Sequence, residues 1–193
     1  MGRQHALIGK EAPEVSLPNY DGETYTLKPG SDGVPVALFF YPKSGTYGCT
    51  KEACEFRDAL VGKETFKSTK VKVVGISSDP VEKQKEFVEK QKLTYPVLSD
   101  TKGEARKAYQ TGKGLLGLTD ARVTFIIDSK GVVRDALDAT LNYGAHVKFV
   151  NKWLEKLEEE ANKPAAETPA EDAPAADEAA APPPAPKEEP ATA

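Results

Sequence analysis

The chain has 193 residues, 39% of them hydrophobic and 29% charged, with 15 glycines and 15 prolines. That is room for one ordinary domain and a tail rather than two domains, in a globular rather than a fibrous composition. A formal net charge of −4 argues against a basic nucleic-acid surface, and 2 cysteines are too few for a disulfide scaffold. The longest strongly apolar run, Val36–Tyr41, is far below a membrane span or a secretory core. The expectation is a soluble protein with free thiols in a reducing compartment, cytoplasmic with the nucleus as the alternative.

In chain order, Val15-Ser16-Leu17 and Thr24-Tyr25-Thr26-Leu27, joined by Asn19-Tyr20-Asp21-Gly22, predict an N-terminal β-hairpin. Val36–Tyr41, ended by Pro42, reads as a buried central strand. A helix follows from Cys49 to about Lys63, then a strand over Val71–Ser77 stopped by Asp79-Pro80. Helical stretches at Val81–Lys92 and Lys102–Tyr109 precede a strand at Val123–Asp128, which turns at Ser129-Lys130-Gly131 into Val132–Asp135. A last helix, Ala145 to about Ala161, carries Val147, Val150, Trp153, Leu154 and Leu157 on one side. Alternating strands and helices predict an α/β layer structure, with a central, mostly parallel sheet carrying an antiparallel hairpin and helices packed on it.

The domain is placed at residues 1–162 and the tail at 163–193. The tail holds 12 alanines, 8 prolines, 7 acidic and 2 basic residues, and no large aliphatic or aromatic side chain. With nothing to bury, it is expected to be disordered, and its acidity leaves the domain near neutral. Pro183–Pro186 fits a P-x-x-P spacing, which a spacer explains as well as a docking site does.

Chemistry concentrates in Tyr41–Asp58, YPKSGTYGCTKEACEFRD. The carboxyl edge of a central strand is the usual reaction site of α/β sheets. Cys49 in the first helical turn would face unpaired amides and the positive end of the helix dipole, both of which favour the thiolate. Cys49, Ala53, Phe56 and Leu60 form the core-facing stripe, while Cys54 lies about 140° around the axis. Their Cα atoms would stand roughly 8.7 Å apart in an ideal helix, beyond the ~7 Å reach of a disulfide. A static crosslink is therefore not expected, whereas a transient one needs the helix to open. His5 and His146 lack the paired spacing that would make a zinc site with the cysteines, so neither a metal nor any other cofactor is expected.

Pro42, Thr46 and Cys49 match the P-x-x-x-T-x-x-C pattern, and Arg122 stands in Arg122–Asp128, RVTFIID. With Cys54 in CTKEACEFRD, the chain over roughly 8–160 resembles the peroxiredoxins, in the subgroup of bacterioferritin comigratory protein and peroxiredoxin Q. Tyr47 stands where that subgroup usually has proline.

The resemblance implies a thioredoxin-like fold, with a central mixed β-sheet flanked by helices, and a monomeric thiol peroxidase. Cys49 would be the peroxidatic cysteine and Cys54 the resolving one, with a peroxide as substrate and thioredoxin or a similar dithiol as reductant. Thr46, Arg122 and the Gly48 and Cys49 amides would be donors to the peroxide, Pro42 the shield of the thiolate, and Glu52 a support for Arg122. Ionising a free thiol of pKa ~8.5 fully at pH 7 gains only about 30-fold, near 2 kcal/mol, so those donors must supply the rest. The alternative is a non-enzymatic thioredoxin-fold redox-sensing or scaffolding module, which would have no need of Pro42, Thr46, Cys49 and Arg122 together.

Overall fold

The computed structural model describes residues 5–114 and 117–163; the expected tail from 164 on lies outside the described residues. The elements run β1 (Val15–Pro18), β2 (Thr24–Leu27), β3 (Val36–Phe40), α1 (Tyr47–Gly62), α2 (Glu64–Ser68), β4 (Lys72–Ser77) and α3 (Val81–Gln91). They continue with β5 (Val97–Ser99), α4 (Glu104–Ala108), β6 (Lys113–Gly114), β7 (Thr119–Asp120), β8 (Val123–Ile127), β9 (Val133–Asp138) and α5 (Gly144–Asn162).

Strand β3 is buried along its whole length. Side-chain alternation sends Ala37 and Phe39, continued by Tyr41, into one apolar cluster and Val36, Leu38 and Phe40 into another. The first cluster takes Cys49, Ala53 and Phe56 from α1, Phe87 and Val88 from α3, and Val147, Val150 and Leu154 from α5. The second takes Val15, Leu17 and Leu27 from the β1–β2 hairpin and Tyr109 after α4. Phe39 stacks on Phe56 at 4.7 Å, an aromatic pair worth about 0.5–1.5 kcal/mol beyond its burial.

The five-stranded sheet has the order β5-β4-β3-β8-β9. Pairings β3–β4 and β4–β5 are parallel, β3–β8 and β8–β9 antiparallel, so the sheet is mixed, as the thioredoxin-like fold implies, with as many antiparallel pairings as parallel ones. This has a functional consequence. Antiparallel register sets Phe40 opposite Val123, which brings Arg122, one residue before β8, to the end of β3 where the Pro42–Cys49 loop begins. A parallel β8 would have carried Arg122 to the far edge.

Three boundaries differ from expectation for local reasons. Helix α1 begins at Tyr47, so Cys49 is its third residue, and Leu60 is only partly buried. After Gly62, Lys63 is extended, and the chain re-enters helix as a separate α2. Helix α4 starts two residues late because the Asp100 carboxylate accepts the Ala105 and Arg106 amides at 3.2 and 2.9 Å and so sets its first turn.

Candidate active site

The loop between β3 and α1 is anchored from beneath by buried polar groups. The Tyr41 hydroxyl donates to Gln84 Oε1 at 2.6 Å, and the Ser44 amide donates to Asp79 Oδ2. Gln84 Nε2 in turn donates to Ser77 Oγ at 2.7 Å and to the Leu98 carbonyl at 3.1 Å. The Ser44 amide and Lys83 outweigh burial at Asp79 and hold its carboxyl below the usual range. Partners on β4 and α3 thus fix the loop that presents Cys49.

Cys49 is buried, 1% exposed, on the core face of α1. Arg122, 4% exposed, donates Nη2 to Cys49 Sγ at 3.2 Å, Nη1 to Glu52 Oε2 and Nε to the Thr140 carbonyl at 3.1 Å. All three guanidinium nitrogens are therefore committed in one plane, a grip that lysine's single ammonium does not reproduce. Burial works against the charge on Arg122, but Glu52 and Cys49 together outweigh it.

Thr46 is the N-cap of α1 yet makes no side-chain cap. Its exposed hydroxyl donates instead to the Lys43 carbonyl at 3.0 Å, so it turns an oxygen lone pair outward, not the hydrogen expected of a peroxide donor. The Gly48 and Cys49 amides are correspondingly left uncapped by side chains. Pro42 is half-buried just after β3 and has no N–H with which to extend the strand pairing.

A Cβ on Gly48 would lie 3.0 Å from Tyr143 Cδ1 and 3.4 Å from Arg122 Nη2, so glycine lets the Tyr143 ring close over the first turn. Tyr47, 75% exposed, meets Tyr143 edge to face at 5.9 Å, and Lys51 Nζ lies 5.3 Å from the Tyr143 ring centre. Tyr47 thus packs on the outer side of Tyr143.

Cys54 lies on another flank of α1, half-buried, with its Sγ donating to Gln91 Oε1 at 3.5 Å. It lines a cavity of about 430 Å³ with Tyr47, Lys51, Lys83, Phe87 and Lys90. Both thiols are free. Cys49, Arg122 and Glu52 are brought together, whereas Cys54 and the Thr46 hydrogen point elsewhere.

Behind this cluster sits a residue that sequence reasoning placed in no role. His146 on α5 is fully buried; Nε2 faces the Ala139 carbonyl at 3.1 Å and Nδ1 faces Thr124 Oγ1 at 2.8 Å and Glu52 Oε1 at 3.5 Å. The carbonyl requires the hydrogen on Nε2, which makes Nδ1 the acceptor. Burial, with Arg122 adding, lowers His146 to about 4 against the pull of the Ala139 carbonyl. Burial raises the Glu52 carboxyl well above the ordinary range, with Arg122 opposing.

Above the unfolded value of His146, near 6.5, neither state holds the proton on that ring. Below it the unfolded chain takes up a proton that the fold refuses, so stability is lost towards acid down to about 4. Relative to His146→Asn, the parent should lose roughly 1.4 kcal/mol per pH unit at the steepest part of that window. Urea denaturation across pH checks it; parallel profiles would contradict it.

The AhpC/TSA family model matches residues 8–136. A chloroplastic peroxiredoxin Q of Triticum aestivum is 39% identical over 149 residues, which are 77% of this chain and 67% of that one. That of Populus jackii is 36% identical over 149 residues, 77% and 68% of the two chains. Among solved structures, peroxidoxin BcpB from Mycobacterium tuberculosis aligns with a TM-score of 0.68 at 36% identity, covering 79% of this chain and 99% of that one. A Xanthomonas campestris peroxiredoxin Q aligns at 0.66 and 26% identity, covering 74% and 90%.

Proposed function

The chain belongs to the AhpC/TSA family, as a thioredoxin-like peroxiredoxin of the peroxiredoxin Q and bacterioferritin comigratory protein kind, and on that premise we propose the course of its thiol peroxidase reaction. The Cys49 thiolate attacks one oxygen of hydrogen peroxide or an organic hydroperoxide. The S–O bond forms as O–O breaks, giving a sulfenic acid, and the leaving oxygen takes up a proton as water or alcohol. Arg122 and the Gly48 and Cys49 amides stabilise the charge moving onto that oxygen. The outward lone pair of Thr46 accepts the peroxide hydroxyl, and Pro42 keeps water from the sulfur.

The Cys54 thiol then displaces hydroxide from the sulfenic sulfur, releasing water and forming the Cys49–Cys54 disulfide. Because the two thiols sit on different flanks of α1, this step requires its first turns to unwind. Thioredoxin or a similar dithiol restores both thiols. Each chain carries both cysteines on one helix, so a monomer suffices. The role is antioxidant defence and redox homeostasis, in the cytoplasm with the nucleus as the alternative. The observation carrying this reading is the 3.2 Å contact from Arg122 Nη2 to Cys49 Sγ at the start of α1.

The test of the second step is NADPH consumption with thioredoxin, its reductase and peroxide. Cys54→Ser should reduce one equivalent of peroxide per chain and then stall. Steady turnover by that variant equal to the parent's would remove Cys54 from the cycle.

A further inference from the structure

One cation, Arg122, is buried between two groups able to be anions, Cys49 and Glu52. Ionising both would leave a net negative charge in a site shielded from water, which is costly. Glu52 meets Arg122 through Oε2 only. Its Oε1 is buried, has no hydrogen-bond partner among the described residues, and lies 3.5 Å from His146 Nδ1, the acceptor nitrogen of that ring. Two acceptors facing one another are an unfavourable pair, and a single proton between them turns the contact into a donor–acceptor one, with the Thr124 hydroxyl free to rotate away from Nδ1. We propose that Glu52, backed by His146, holds the proton that Cys49 gives up when it becomes a thiolate.

The inference rests on the reading of Cys49 as the reacting thiolate and deepens it. The S–H bond of Cys49 breaks heterolytically while an O–H bond forms at Glu52 Oε1, so the site's charge is unchanged and Arg122 turns from one anion to the other. When peroxide converts the thiolate to a neutral sulfenic acid, Glu52 returns its proton and re-pairs with Arg122. That proton is the one the leaving oxygen needs to become water or alcohol, so thiol plus peroxide gives sulfenic acid plus water or alcohol with nothing left over. Sulfur loses the two electrons that the O–O bond gains.

The titratable and charged groups facing Glu52 are Arg122 before β8, His146 on α5, Cys49 and Glu55 on its own helix, and Tyr95 before β5. Glu55 adds to the pressure against a second negative charge. Burial keeps His146 from taking the proton itself, which leaves it on the carboxyl. His146 is thus a positioning residue, acting through Glu52.

The experiment is infrared spectroscopy of the full chain at neutral pH, without peroxide or reductant, so a failure of peroxide turnover leaves it readable. The Cys54→Ser protein should display the C=O stretch of one buried protonated carboxyl. That band should be lost in Cys49→Ser/Cys54→Ser, where no thiolate forms, and it should shift in His146→Asn/Cys54→Ser, where the acceptor changes. Carbon-13 labelling of glutamate shows that the band belongs to a glutamate, and its dependence on the Cys49 thiol and on His146 places it at Glu52, even if Glu52→Gln does not fold. A band of equal strength with and without the Cys49 thiol, or no band in either, would overturn the proposal; so would a band unmoved by His146→Asn.

Discussion

Cys49→Ser is expected to bring peroxide turnover down to the uncatalysed background while the fold persists. Serine differs from cysteine by one atom at a site 1% exposed, and its hydroxyl keeps a donor in Arg122 Nη2, so no buried polar group is orphaned. What disappears is the nucleophile, because an alcohol does not ionise near neutral pH. A melting temperature close to the parent's, with no NADPH consumption in the thioredoxin-coupled assay, is the expected pair of results. Substantial turnover by Cys49→Ser would move the reacting sulfur elsewhere.

The second large effect is expected at Arg122. Arg122→Met is similar in bulk but removes the donor to Cys49 and the cation opposite Glu52. Loss of one preorganised donor at developing charge costs about 10²–10³ in rate, and the effect on kcat/KM should fall at least in that range. Glu52, already pushed towards its neutral form by burial, would be protonated in the variant, which limits the damage to folding. Arg122→Lys should recover less than about tenfold, because one ammonium cannot serve Cys49, Glu52 and the Thr140 carbonyl together. Stopped-flow oxidation with hydrogen peroxide checks both variants. A lysine variant as fast as the parent would mean that charge alone, rather than the fork, is what Cys49 requires.

Much of the scaffold was legible because it is written in local pattern. The continuous apolar runs of β3, β4 and β8 mark strands buried on both faces, and the Cys49–Ala53–Phe56 stripe marks the face of α1 turned to the core. The short pieces were not legible. Val97–Ser99 is too brief to show a period, β6 and β7 have two residues each, and α2 follows a break at Gly62–Lys63. Nor does composition reveal strand direction. That β8 runs antiparallel to β3 is a property of the pairing, and it is what delivers Arg122 to the site.

The site divides in the same way. The residues of one contiguous motif, Pro42 to Cys54, could be read as a unit, and the strand segment after Arg122 had its own recognisable pattern. Pairings made only by folding carried no local signal. Glu52 and His146 are 94 positions apart, yet face each other at 3.5 Å. Gln84 and Asp79, which hold the catalytic loop from below, read in the sequence as ordinary polar residues around a helix start. The direction of the Thr46 hydrogen depends on the Lys43 carbonyl and is a matter of loop geometry.

The central claim, that Cys49 beside Arg122 is the sulfur that meets peroxide, is tested most directly by mass spectrometry of the reduced chain. One equivalent of hydrogen peroxide is given to the Cys54→Ser protein in the presence of dimedone, which traps sulfenic acids. A single adduct is expected, on the peptide containing Cys49, formed within the first turnover and strongly diminished in Arg122→Met. An unmodified Cys49 peptide after that treatment, or equal labelling with and without Arg122, would contradict it.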